Sequence, residues 1–228
     1  MFYQNINEIY RQKWLKKTLA NIPKGARILD AGAGELRNKE ICTHLEYVSQ
    51  DFGQYEGDGN GKGLQTGNWD TSRVDIICDI TAIPEPDASF DAVLCSEVLE
   101  HVPEPGLVVD ELARLLKPGG QIILTAPFAS LVHFAPYHYC TGFSSYWHQY
   151  HLPRRGLEIV ELIPNGDWFA YCRQEILRLG GMERKYGNWT WPIAYILGSL
   201  GIFYFMLRGK ISADDLACFG WHCVAEKR

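Results

Sequence analysis

The chain has 228 residues, 46% of them hydrophobic and 21% charged, with 22 Gly and 11 Pro. It is too apolar for a disordered chain and too poor in Gly and Pro for a low-complexity one, so a single large globular domain over 1–228 is expected. The formal charge of −5 and the lack of any Lys/Arg block argue against a nucleic-acid partner. Seven Cys are scattered with no C-x-x-C pair, which reads as reduced, buried thiols and a cytoplasmic setting. The first residues, MFYQNI, are followed by no apolar run, so no signal peptide is expected there.

In chain order, Ile6, Ile9, Tyr10, Trp14 and Leu15 recur at helical spacing, giving an N-terminal helix within 1–22 that ends before Pro23. Ala26–Gly32 is a short strand ending in glycine, and 35–45 can form a helix with Glu35 at its start. A second strand covers Leu45–Phe52. Residues 53–67 hold six Gly among polar residues and read as a loop. Further strands are expected at Val74–Ile80, Phe90–Cys95, Gln121–Phe128 and Gly156–Ile163, with a helix at Glu104–Leu116. A helix from Asp167, its N-cap, to Arg184 precedes an uncharged run, Trp189–Leu207, and 214–228 closes the chain as a last strand. Strands alternating with helices, several of them continuous apolar runs, argue for an α/β domain with a mostly parallel sheet.

The chemistry sits at the strand ends. Asp30-Ala31-Gly32-Ala33-Gly34-Glu35 follows the first strand, where glycines let a ligand approach the backbone closely. A dinucleotide fingerprint would need Gly at 37, which is Arg37, so the pyrophosphate version fails. Asp30, two residues before the first Gly, suits an ammonium or sulfonium group instead. Asp51 ends the second strand, where a carboxylate can accept from two ribose hydroxyls. Asp79 ends the third, where it can accept from an adenine amine, and Glu97 follows the fourth. Four carboxylates at one crevice repel phosphate and fit an adenosine carrying a positive centre. Asp30 and Asp79 are also of the type that caps a local turn.

ILDAGAG, YVSQDF, CDITAIPEPDASFDAVLCSEVLEHVPEP and ELARLLKPGGQIILTAPF, taken together, resemble the successive motifs of class I S-adenosylmethionine-dependent methyltransferases of the type 11 kind. The resemblance covers about Gly25–Phe128. It implies a Rossmann-like, three-layer α/β/α fold whose seven-stranded sheet is mostly parallel, with the last strand antiparallel. It implies S-adenosyl-L-methionine as cofactor. Asp30, Ala31, Gly32 and Gly34 would then form the methionine-side loop, and Asp51 and Phe52 the ribose side. Asp79 and Ile80 would frame the adenine, with Ser96 and Glu97 beside the cofactor. Two departures stand out: Leu36 occupies a position where many members have a third Gly, and the glycine-rich 53–67 segment replaces the usual helix.

This gives a cofactor-binding core at 25–128, a substrate loop at 129–151 and a helical apolar insertion at 165–210. The substrate loop holds His133, His138, His148 and His151, of which His133 and His138 are the candidate general bases. Their gaps of 5, 10 and 3 do not make a metal motif, so no metal is expected. His101 reads as a structural residue near the cofactor. For 189–207 a membrane span is disfavoured, because it would cut the last strand from its sheet. Packing against the domain leads, and a membrane-resting patch bracketed by Arg184, Lys185, Arg208 and Lys210 follows. The expected activity is methyl transfer to a small-molecule or lipid-linked acceptor, most readily at oxygen. The alternative is a non-catalytic cofactor-binding or interaction protein docking through 189–207. Oligomeric state is not legible.

Overall fold

The computed structural model describes residues 6–207 and 212–228. Seven strands form one sheet: β1 (Arg27–Ala31), β2 (Glu46–Asp51), β3 (Ile76–Ile77), β4 (Phe90–Ser96), β5 (Leu116–Pro127), β6 (Leu157–Asn165) and β7 (Gly220–Lys227). Their spatial order is β3-β2-β1-β4-β5-β7-β6. β1 pairs in parallel with both β2 and β4, and β4 with β5. β7 runs antiparallel to β5, from Gln121↔Glu226 to Pro127↔Gly220. The expected seven-stranded sheet with an antiparallel last strand is therefore present. The order reverses direction between β1 and β4, and in open α/β sheets ligands bind outside the carboxyl ends of the strands at that point.

The chain divides into two compact units, 13–163 with 220–228, and 1–12 with 164–219. In the first, successive strand residues alternate between two cores, as a pleated sheet covered on both faces requires. Leu29, Ala31, Val93, Cys95 and Leu124 face one core, with Val108, Val109 and Leu112 of helix α2 (Pro105–Leu115). Ile28, Ala92, Leu94 and Ile123 face the other, with Trp14, Leu15 and Leu19 of helix α1 (Ile6–Leu19). A seven-residue helix, α3 (Ser145–His151), follows the loop after β5.

Two expected elements differ. No α-helix spans 35–45: Leu36 adopts φ +62°, which breaks the helical ladder, and a 3-10 turn at Lys39–Cys42 is what forms. The third strand shrinks to Ile76–Ile77 because side chains hold its flanks. Asp75 accepts from the Ser49 amide and hydroxyl at 2.9 and 2.6 Å, and Asp79 accepts from the Thr81 amide at 2.8 Å.

In the second unit, Asp167 caps helix α4 (Trp168–Lys185) as expected, accepting from the Ala170 amide at 2.7 Å. Asn165 donates to the Asn7 side chain at 2.7 Å. Helix α5 (Trp191–Leu207) packs on α4 through small residues. The Tyr195 ring lies against Gly180, and Gly198 faces the Ile176 carbonyl, where a Cβ would stand 3.1 Å away. Among the described side chains of α5, only the small-residue stripe is buried. Trp189 before it, and its Ile196, Leu200, Phe203 and Leu207, are each at least 60% exposed. The expectation that a helix apolar all round is buried all round is therefore not met. No helix among the described residues is long and apolar enough to cross a membrane. Arg208 and Lys210 lie outside the described residues, as do 1–5.

Leu94 lies at the centre of β4 with no exposed surface. Leu94→Ala is expected to lower the unfolding free energy by roughly 2–5 kcal/mol, read from urea denaturation.

Candidate functional site

The glycine turn after β1 is held by the end of β2. The Gly32 and Ala33 amides donate to the Gln50 carbonyl at 2.9 and 2.8 Å. The Gly34 amide donates to Asp51 Oδ2 at 2.9 Å, and the Gly53 amide to Asp51 Oδ1 at 2.9 Å. One buried carboxylate thus fixes two loops. Each of its oxygens has further acceptor capacity, as ribose hydroxyls require. Gly32 and Gly34 have φ +77° and +52°, and their missing side chains matter. A Cβ on Gly32 would meet Val98 at 2.4 Å, and one on Gly34 would meet Trp69 at 2.5 Å. Leu36, the departure noted in the sequence, takes up a glycine-like φ regardless.

Asp30 is turned inward. Its Oδ2 accepts from the Tyr47 hydroxyl at 2.6 Å and from Asn38 Nδ2 at 3.3 Å, and the residue is 1% exposed. Burial pushes its carboxyl up to about 6, against the pull of those two hydrogen bonds, and the nearby Asp51 adds to the rise. Ala31 is fully buried beside it.

The other predicted positions are distributed as follows. Phe52 meets Tyr137 edge-on, with ring centroids 4.9 Å apart. Asp79 is exposed, and its Oδ1 accepts from the Thr81 amide and hydroxyl, so it does cap a local turn. Ile80 beside it is buried. Ser96 and Glu97 converge on Thr125 of β5. The Ser96 hydroxyl lies 2.8 Å from that of Thr125, which donates to Glu97 Oε1 at 3.0 Å. Glu97 has φ +57°, an unfavourable conformation for a glutamate placed at the end of a strand.

The residues expected to form a substrate loop, 129–151, split between two places. His148 and His151 lie on α3, where His148 is fully buried and its ring is pushed down to about 4 by desolvation. His133 and His138 are elsewhere, with ring centroids 4.9 Å apart. His101, from the turn after β4, joins them at 4.7 Å from His133 and 6.0 Å from His138. Burial first, then the neighbouring imidazoles, hold His101 down at about 3, so it is neutral at working pH. The buried Glu100 carboxylate stands 3.7 Å from His101 Nε2 and 3.9 Å from His133 Nε2.

What positions this loop is the 53–67 segment, which reads in the sequence as a glycine-rich loop in place of the usual helix. The Leu64 amide donates to the Val132 carbonyl at 2.9 Å, the Phe134 amide to the Leu64 carbonyl at 3.1 Å, and the Asn60 amide to the Ala135 carbonyl at 2.9 Å. Tyr55, Trp69 and Phe134 pack against one another behind it. Sequence reading missed Trp69, Thr125, Tyr47 and Glu100, and took His101 as structural without its carboxylate neighbour. A lone Trp at the end of a glycine-rich stretch was the signal for the first. The others carry no local signal, because their partners are distant in the chain.

Sheet order, glycine turn and strand-end acids define a Rossmann-like α/β protein with its ligand crevice at the β1/β4 switch. Residues 29–124 match the family described as "Methyltransferase domain". The "Ubiquinone biosynthesis O-methyltransferase" of Paracidovorax citrulli is 34% identical over 174 residues, which is 70% of this chain and 68% of that protein. The protein of the same name from Xylella fastidiosa (strain M23) is 35% identical over 48% of this chain. The chain spans 45% of the length of that relative. Among solved structures, a putative sarcosine dimethylglycine methyltransferase from Galdieria sulphuraria shares the fold. It has a TM-score of 0.60 at 13% identity, over 99% of this chain and 91% of that one. The chain belongs to the class I S-adenosylmethionine-dependent methyltransferase family.

Asp30 yields a stability prediction. Its folded-state value is raised from 3.8 to about 6, so its contribution is fully present below pH 3.8 and is lost as pH rises through about 6. Asp30→Asn keeps an acceptor for Tyr47 and removes the buried charge. The variant is expected to be more stable than the parent by up to about 3 kcal/mol at pH 7.5 and equal to it at pH 3.5. Urea denaturation at the two pH values checks this.

Proposed function

We propose that the protein is an enzyme that transfers the methyl group of S-adenosyl-L-methionine to an oxygen of a small-molecule or lipid-linked acceptor. The observation that carries this is Asp51, whose carboxylate closes the glycine turn while keeping acceptor capacity for ribose hydroxyls. The names of the relatives, ubiquinone biosynthesis O-methyltransferases, support oxygen as the accepting atom. In this reading the backbone of Ala31, Gly32 and Gly34 lines the methionine end. The buried charge of Asp30 acts behind it on the cationic centre. Asp51 and Phe52 take the ribose side and Asp79 and Ile80 the adenine side, with Ser96 and Glu97 flanking the sulfonium.

The sulfonium already activates the methyl group, so the protein's work is alignment and exclusion of water, worth up to roughly 7–11 kcal/mol. The acceptor oxygen's lone pair forms the new O–C bond. The C–S bond breaks, and its pair stays on sulfur as S-adenosylhomocysteine. The acceptor's proton is drawn off at the imidazole cluster of His133 and His138.

A second observation concerns the acceptor. The exposed apolar face of α5, with Arg184 and Lys185 at the end of α4, fits a helix pair resting on a lipid surface. This supports a cytoplasmic enzyme in peripheral contact with a membrane. The disulfide-free cysteines agree with that compartment.

Calorimetry is expected to show S-adenosylmethionine binding, competed by S-adenosylhomocysteine and weakened at least about tenfold in Asp51→Ala, as loss of a buried charged acceptor should cost. No heat and no competition would sink the reading. His133→Ala and His138→Ala should each lower methyl transfer to hydroxylated acceptors while leaving cofactor affinity unchanged. Unchanged turnover in both removes their role. Leu200→Glu with Phe203→Glu should abolish co-sedimentation with anionic liposomes at low salt. Absence of co-sedimentation of the parent chain discards the membrane contact.

A further inference from the structure

The fold gathers three imidazoles that the sequence keeps apart. His101 comes from the turn after β4, and His133 and His138 from the loop after β5. Their ligand atoms all lie within 4.8 Å of one another. The tautomers of two of them follow from their neighbours. His101 Nδ1 meets the Tyr137 carbonyl, and His133 Nδ1 meets the Leu131 carbonyl at 2.8 Å. A carbonyl oxygen only accepts, so both Nδ1 atoms carry the proton and both Nε2 atoms present a lone pair. Those two lone pairs face the same atom, Glu100 Oε1, at 3.7 and 3.9 Å. Both ring nitrogens of His138 are buried with no hydrogen-bond partner.

Three imidazoles whose ligand atoms converge within 4.8 Å, beside a buried carboxylate, form a donor set that a divalent cation can occupy. A ring N–H held by a backbone carbonyl, with the other nitrogen aimed inward, is the usual outer-shell arrangement of metal-ligating histidine. Donors about 2.0–2.1 Å from one tetrahedral Zn²⁺ stand roughly 3.3 Å apart, so side-chain rotations that move the ring nitrogens by about an ångström bring the three imidazoles to bonding distance and leave one position open. Imidazole donors select the zinc, copper, iron and nickel class over magnesium and calcium. Partial exposure of His101 and His133, at 18% and 24% of their side chains, leaves a way in.

We infer that His101, His133 and His138 form a binding site for a divalent first-row transition metal ion of the zinc class, with the Glu100 carboxylate beside it balancing charge. The ion ties the turn after β4 to the loop after β5. The binding itself does not depend on the methyl-transfer reading. The use of the ion rests on that reading and changes one step of it: with His133 and His138 holding the ion they no longer serve as bases, so an acceptor oxygen at the open position would lose its proton to solvent and take the methyl group as the C–S bond breaks, its electron pair staying on sulfur.

The test uses the full untagged chain, treated with chelator and then given Zn²⁺ or Co²⁺ alone. One ion per chain by elemental mass spectrometry is expected, together with the intense visible absorption of Co²⁺ in a low-symmetry nitrogen site. His138→Ala, in a loop, and His101→Gln should each lower affinity by more than the roughly 10–100-fold of an outer-shell loss, with thermal melts confirming that both variants fold. Glu100→Gln should weaken binding less. Fewer than a tenth of an equivalent bound, or a Co²⁺ spectrum no different from the aqueous ion, overturns the site. Methyl transfer undiminished by chelation, with no ion bound, removes the metal and leaves the proposed function standing. An ion bound as described, with no cofactor binding or transfer, does the reverse.

Discussion

The Asp51 carboxylate is the point from which the crevice is built. It ends β2, and its two oxygens take one amide from the glycine turn after β1 and one from the start of the 53–67 segment. Without it, two loops whose backbone donors face a buried edge would lose their acceptor, at a cost of about 1–3 kcal/mol for each unsatisfied group. From Gly53 the constraint passes on. The 53–67 segment hydrogen-bonds along residues 132–135, and that stretch carries His133. The Asp51 carboxylate and the stretch that carries His133 are therefore parts of one hydrogen-bonded frame. If the cofactor engages Asp51 as proposed, its binding and the ordering of residues 132–135 are expected to be coupled, because both draw on the same backbone ladder.

The fold was legible wherever a single physical pattern governed a segment. β1, β4 and β5 are near-continuous apolar runs because both faces of the sheet are covered, and α2 and α4 carry their stop or start signals locally, at Pro118-Gly119-Gly120 and Asp167. The pattern failed where tertiary partners override local preference. Residues 35–45 have helical composition, yet Asp30 takes the Asn38 side chain and Leu36 turns left-handed, so the backbone is bent away from a helix. The strand-end acids were legible as positions. Their surroundings were not: Asp30 is sealed by Tyr47 and Asp79 is occupied by Thr81. The imidazole cluster was illegible for a plainer reason. Spacing within one loop was the only metric available, and the third ring comes from 32 residues upstream of His133, on a different strand end.

α5 shows how an apolar run is misread. Charge-free composition predicts burial only if every face meets another apolar surface. Here Ala194, Gly198 and Gly201 supply a narrow stripe that lets α4 approach closely, and the large side chains point away from it. The stripe satisfies the helix pair while leaving several aromatic and branched side chains in water. Each such side chain forfeits roughly 1.5–3 kcal/mol that burial would return, so this face has a reason to be covered that its own helix partner does not supply.

The same logic of local cost applies at the crevice. Among the described residues, four non-glycine residues have positive φ: Leu36, Ala88, Glu97 and Phe134. Ala88 lies in the turn that leads into β4, but the other three follow the carboxyl ends of β1, β4 and β5. Such conformations cost of order 1–3 kcal/mol each and persist only where surrounding contacts over-determine them. Asp30 adds a buried charge at the same end of the sheet. Folding alone gives no reason to concentrate these costs outside adjacent strand ends, since the opposite ends of the same strands, including the turn before β1, carry almost none. A ligand that pairs a cation with Asp30's charge and hydroxyls with Asp51 returns part of the cost on binding. In the proposed reading the cofactor is that ligand, and its binding offsets part of the cost that these strand ends carry.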